Sequence, residues 1–575
     1  MKRILMKFKY MVVMLCSIGV FSSCEDFLGT VPLNEIVLEN FWENEAEVNS
    51  VVMSCYSRMA QGDFLTRLIL WGELRSDNVV EGVITGEIPY VNNDQLRDML
   101  EGNIQQDYYI ADWSCFYSVI NRCNTVLHYA PQVLERDPDF KASEWEYIKA
   151  EMLTLRALCY FYLVRSFRDV PLVLEPTLDD SQEFQVPAAD PNVVLEQLVK
   201  DLQEAELHAL KEFPESNYSL YSYTKARVTK QTVWSLLADI YLWMERYDEC
   251  VAYCEKVIEA KIADAEKENM NYEGNYPLIA NQKSSANNNI HQAFNLIFGS
   301  QGNSFESIFE MPFGYNYEDK RDALRSYYGA LDVPIGAMTA ATFIGEGAKD
   351  GNDLYKSSDI RAIEAFDVTG TSIYPIHKYA CVNISDNGGV GYAMSRYPNW
   401  IFYRLTDVML MEAEALVERN DSVDAKPADL QKAFDLAYSV YHRANLKGDV
   451  LKFSGEYATQ DGLRSFVLEE RQRELMFEGK RWFDLVRKAR REGSNSLICN
   501  VLWILLQQRI YLQLILMNWQ IEHIRLYPFT FHSTRTCIFT SSQIKHSTVT
   551  SFTTRLAHKV KPTLTLKHQF SLAFC

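Results

Sequence analysis

The chain has 575 residues, with 57 Lys or Arg against 76 Asp or Glu, and a net charge of -19 at pH 7. Its first residues and its last eighty or so are basic, so the body between them is more negative still, which argues against nucleic acid or other polyanions as partners. The length allows a body of several hundred residues, enough for one large core or two fused halves.

At the N-terminus, Lys2, Arg3, Lys7 and Lys9 precede the apolar run Met11 to Phe21, which leads into Ser22, Ser23 and Cys24. That order of charge, grease and small residues is a secretory signal, and the apolar run is too short to span a bilayer comfortably. Residues 1–23 are therefore read as a leader, and Cys24 as the acylated first residue of a lipoprotein. Downstream, Asp77 to Gln106 lacks helical periodicity and carries a Gly-Val-Ile-Thr-Gly run. Lys149 to Arg165 has it, with Met152, Leu155, Leu158, Cys159 and Tyr162 on one side, and Pro171 ends the segment. Trp234 to Val257 carries large and small residues at the spacing of a tetratricopeptide unit, with Glu245 and Arg246 as its turn. Cys250 and Cys254 occupy its packing positions and read as small core residues. Cys115 and Cys123 are two helical turns apart, roughly 12 Å, too far to bond to each other.

Asn269 to Asn399 is again irregular, rich in Asn, Gly, Ser and Tyr, with a short strand expected at Ser307 to Glu310. Long loops in a compact protein are usually functional or disordered, so aromatics there are better ligand candidates than aromatics in the repeats. A further helix pair is expected to begin at Trp400 and to return through Leu430, Leu436 and Val440. The charged run Glu469 to Glu478 reads as a helix whose opposite charges face each other three and four residues apart. Gly479 then permits a tight approach, and Trp482, Phe483 and Leu485 bury against the preceding helix. After Ser494 the composition changes. From Leu497 to Cys575 there is no Gly and one acidic residue, Glu522, while His523, His532, His546, His558 and His568 fall at no metal-ligand spacing. Residues 495–575 are read as an aberrant tail, the product of a shifted frame.

Glu470 to Leu485 resembles, almost position for position, the signature E-R-x-R-E-L-x-F-E-G-x-R-W-F-D-L of the SusD/RagB family, outer-membrane nutrient-binding lipoproteins of Bacteroidetes. The resemblance covers residues 24–494 and implies a mainly α fold: a tetratricopeptide-like scaffold of helix pairs with long irregular ligand-binding loops and a few short strands. It implies a lipid-anchored protein on the outer membrane, facing the cell exterior, that delivers oligosaccharides to a SusC-like TonB-dependent transporter. Glu25 and Asp26 after Cys24 resemble the acidic export signal of such lipoproteins. Trp71, Arg75, Asp77 and Asn78 lie where the family often carries an element bordering its site. With Tyr90, Tyr315, Tyr317, Tyr327 and Tyr328 from the irregular segments they form the candidate ligand set, since sugars need flat aromatic faces with polar groups at their edges. Trp113 sits at helical spacing with Tyr117 and Ile120 and reads as core.

No phosphate-cradling loop, Gly-x-Ser-x-Gly elbow or His-Glu-x-x-His helix occurs in the chain. Binding is therefore expected, with no catalytic residue, metal or cofactor. Rival readings are a peptide-binding member of the same family, a periplasmic tetratricopeptide scaffold for proteins and, third, a glycoside hydrolase.

Overall fold

In a computed structural model the chain is mainly helical, and several helices open on a side-chain cap. The structure describes residues 41–493 except 84–87, 89–90, 178–185, 214–222, 284–287, 300–301, 313–317, 330–334, 342–343, 345–353, 357, 370–372, 381, 393–397, 420–425, 447 and 449. The leader, Cys24, Tyr90, Tyr315, Tyr317 and the tail 495–575 lie outside the described residues. Asn44 opens α1 (Glu45–Met59) by accepting the Glu47 N–H at 3.2 Å, and the Glu47 carboxylate answers the Asn44 N–H at 3.3 Å. α2 (Gly62–Ile69) runs into a π-helical turn, Leu70–Leu74. After strand β1 (Val79–Glu81), Asn92 caps α3 (Asn93–Leu100).

The scaffold follows. α4 (Ser114–Arg136) packs on α1 and on α5 (Ala142–Phe167), which is buried on every side over most of its length. Arg168, at φ 65°, ends α5 ahead of a short ladder between β2 (Val170–Pro171) and β3 (Ala188–Ala189). Asp190 and Pro191 start α6 (Pro191–His208), which returns along α5. The expected tetratricopeptide unit is α7 (Lys230–Trp243) against α8 (Tyr247–Lys267). Its turn passes through Glu245 at φ 61°, and Ala238, Cys250 and Cys254 are fully buried where the helices meet.

The irregular half contributes α9 (Gln292–Ile297), β4 (Ser307–Met311), α10 (Glu318–Tyr328), β5 (Met338–Ala340), α11 (Arg361–Ala365), β6 (Val382–Ile384) and β7 (Val390–Tyr392). Trp400 does not begin a helix. Trp400–Arg404 is strand β8, paired antiparallel with β4, because this fully buried stretch of aromatic and branched residues needs a ladder for its backbone. α12 (Leu405–Glu418) follows directly and packs on α8, α13 (Pro427–Ala444) and α14 (Gln460–Leu475); α15 (Arg481–Arg491) closes the described chain. Among the described residues, no helix is long and apolar enough to cross a membrane.

The charges of the signature segment pair differently from the helical expectation. Arg473 does meet Glu470 and Glu469 within α14, but the other signature charges reach across the fold. Glu474 pairs with Arg404 at 2.7 Å and Arg361 at 3.0 Å, Glu478 with Arg404 at 2.7 Å and Lys378 at 2.8 Å, and Arg471 with Asp484 at 3.0 Å. Glu474, Glu478, Arg361, Lys378, Arg404, Arg471 and Asp484 are all buried. Spacing along one helix cannot reveal such partners, because they come from other elements.

Candidate ligand-binding site

The early element expected to border a site forms a structural joint. The π turn brings Gly72 against Gly479, so close that a Cβ on Gly72 would lie 2.0 Å from the Gly479 carbonyl oxygen. Beside this contact the buried Glu73 carboxylate accepts from Asn78 Nδ2 at 2.8 Å, from the Phe477 N–H at 3.3 Å and from the Gly479 N–H at 3.1 Å. Asn78 in turn accepts from Gln472 at 2.9 Å. The Arg75 guanidinium lies over the Trp482 ring, and Arg481 grips Asp77 through two bonds of 2.7 and 2.8 Å. Trp71 is fully buried and donates its indole N–H to the Ile110 carbonyl at 2.9 Å. Tyr327 and Tyr328 are also fully buried, Tyr328 beside Phe477. Trp71, Arg75, Asn78, Tyr327 and Tyr328 thus present no face to a ligand in solution here, and Asp77 is committed to Arg481. Packing claims them, since large rings near a helix junction bury more surface inside than out.

Burial pushes the Glu73 carboxyl up to about 7, against the opposing donation from Asn78 and the two backbone N–H groups. Its folded value lies above its unfolded one, so its contribution to stability is full below about pH 4.5 and is lost as pH rises through about 7. Unfolding free energies from urea titrations between pH 4.5 and 8 should therefore carry a falling component of up to about 3 kcal/mol from this group. A Glu73→Gln variant, whatever its absolute stability, should show that component removed; an unchanged pH slope would refute the assignment.

The buried joint positions a half-buried aromatic strip. Trp71 holds the carbonyl of Ile110 in the short 3-10 turn Tyr109–Ala111, whose neighbours Tyr108, Tyr109 and Trp113 are half-buried. Arg67 on α2, itself 1% exposed, lies under Tyr109 with its guanidinium 3.9 Å from the ring centre. It also pairs with Asp112 at 2.6 Å and donates to the Asp63 carbonyl at 2.9 Å. Asp112 accepts the Ser114 N–H at 2.9 Å, fixing the start of α4. Trp113 packs edge-on against Phe167 at 4.9 Å and Tyr117 at 5.9 Å. The Tyr108 hydroxyl donates to Asp98 at the end of α3, and this bond pushes the phenol up to about 12, leaving it a neutral donor at neutral pH.

Two long segments meet here. β1 pairs with β5, and α10 packs on α2, so the stretch after the joint and the stretch around α10 lie against each other. Arg67, Asp98, Tyr108, Tyr109 and Asp112, which the sequence reading did not single out, gather here, and Trp113 is only partly a core residue. The available signal was the run Asp107 to Trp113, in which three aromatics and two acids fall within seven residues just past the end of the irregular segment.

Fold and face together define the class: a tetratricopeptide-like scaffold of helix pairs with irregular segments laid against it. The comparisons agree. Residues 34–242 match the family model described as starch-binding associating with outer membrane, and residues 246–497 match that of the SusD family. The chain belongs to the SusD/RagB family. It is 24% identical over 506 residues to the SusD-like protein P38 of Formosa agariphila, covering 82% of this chain and 90% of that one. Among solved structures, a SusD superfamily protein of Bacteroides thetaiotaomicron superposes with a TM-score of 0.58 at 21% identity, covering 80% of this chain and 93% of the other. A laminarin-binding SusD-like protein superposes with a TM-score of 0.55 at 21% identity, covering 79% and 94%.

Proposed function

We propose that the protein binds oligosaccharides on the strip Tyr108, Tyr109 and Trp113 and passes them to a SusC-like TonB-dependent transporter. The observation that carries this reading is the strip itself: partly exposed rings on a rigid base, with the carboxylates of Asp98 and Asp112 at their edges. Ring faces stack on the apolar side of sugars, and edge carboxylates accept from sugar hydroxyls. The laminarin-binding neighbour and the starch-binding family description support a saccharide ligand. Tyr90, Tyr315 and Tyr317, outside the described residues, remain candidates for ligand contact. The protein binds without cleaving, because Asp98 is engaged by Tyr108 and Asp112 by Arg67 and Ser114, which leaves neither poised as a general acid. Acylation of Cys24 tethers it to the outer membrane, facing outward.

Calorimetry of the full chain against a panel of neutral glycans, laminarin oligosaccharides included, tests the reading. Binding without release of reducing ends is expected, and Tyr109→Ala or Trp113→Ala should each weaken it about tenfold, the loss of one stacked ring. Silence across the panel with micromolar binding of peptides would transfer the function to peptide capture.

A further inference from the structure

Away from the aromatic strip, α9, α11, the end of α13, Arg404 and α14 enclose a cavity of about 30 Å³. Its charged wall carries Arg361, Lys378, Arg404, Arg443 and Arg473 against only two carboxylates, Glu364 and Glu474. The acids that balance the remaining cations, Asp359, Glu306, Glu470 and Glu478, do not line it. Its inner surface is thus cationic although the whole network is close to neutral.

Several donors on that wall have hydrogens to spare. Arg443 uses one terminal nitrogen for Glu306 and the other for Glu474, while its Nε–H makes no bond among the described residues. Arg473 engages Glu470 through Nε and Leu354 and Glu469 through Nη1, while its Nη2 makes no bond among the described residues. The Lys378 ammonium donates to the Glu474 carbonyl and to Glu478, two of its three hydrogens. The opposite wall is apolar, with Phe294, Ile297 and Phe298. These donors are not sealed from water, so they face space that a water or an ion can enter, and that space suffices for a monatomic ion or about two waters.

We propose that this cavity binds a small, weakly hydrated monovalent anion, chloride in the natural setting. An anion satisfies spare hydrogens on three cations at once, and a weakly hydrated one gives up its water most readily to a pocket that is half apolar. Crystals of the full-length protein soaked in sodium bromide should show an anomalous peak in the cavity. At constant ionic strength, exchange of fluoride for bromide should raise the melting temperature saturably, by about 2 to 4 °C. Ala365→Leu, which fills the cavity without touching an ion pair, should abolish that rise. Cavity density with no anomalous signal means water only and overturns the proposal, as does a bromide response that survives Ala365→Leu.

Discussion

Replacing Arg404 by Met should destabilise the protein by about 3 to 5 kcal/mol in urea titrations, because it leaves buried carboxylates without their principal partner. Arg404 is 1% exposed and sits where β8 passes into α12. Its guanidinium donates to Glu474 Oε1 at 2.7 Å, to the Glu474 carbonyl at 2.8 Å and to both oxygens of Glu478 at 2.7 and 2.8 Å, and it also reaches Thr406. Burial alone would raise the Glu478 carboxyl; Arg404 and Lys378 together hold it below the ordinary range. Without Arg404, Glu478 keeps only Lys378, so the variant should also become more sensitive as pH rises through the new, higher value. Arg404→Lys should recover only part of the loss, since a point charge with three donors cannot serve this planar set of acceptors. A loss below about 1 kcal/mol for the Met variant would mean that water, not Arg404, satisfies these carboxylates.

Gly72→Ala is the second large effect expected. The added Cβ would fall 2.0 Å from the Gly479 oxygen and 2.6 Å from its carbonyl carbon, both backbone atoms that cannot rotate away. Gly479 has little freedom to yield: it sits at φ 69°, with Trp400 and the Leu68 carbonyl packed around it. Relief therefore requires the π turn and the loop before α15 to separate, which breaks the donation of Phe477 and Gly479 to Glu73 as well. A destabilisation of about 3 kcal/mol or more, with loss of soluble expression at the upper end, is expected. Gly391→Ala is the matching control, because a Cβ there meets nothing within 4 Å and the change should stay within about 0.5 kcal/mol. Equal stability of the two variants would show that the joint is looser than its geometry.

The joint and the aromatic strip are mechanically linked. Trp71 belongs to the π turn and, through Ile110, holds the turn that carries Tyr109. The buried segment supports the aromatic turn, so on the proposed reading substitutions at Trp71 should disturb ligand binding without any contact to the ligand.

Much of the architecture was legible in the chain because it rests on local, periodic signals. The unit Trp234 to Val257, its turn at Glu245, the helix through Lys149 to Arg165, the strand near Ser307 and the close approach at Gly479 all follow from spacing and from residue types with one dominant use. The signature Glu470 to Leu485 sufficed for the family. Tertiary structure decided the rest, where the deciding partner is remote in sequence. Trp400 reads as a helix start until β4 offers it a ladder, and Glu474 and Glu478 read as partners within an ion-paired helix until Arg361, Lys378 and Arg404 arrive from elsewhere in the chain. Likewise Trp71 and Tyr328 read as ligand candidates yet are fully buried, while Trp113 reads as core yet is half-buried. Only the meeting of α2, α4, α5 and α10 determines which rings are covered, because burial is a property of what packs against a side chain and not of the side chain itself.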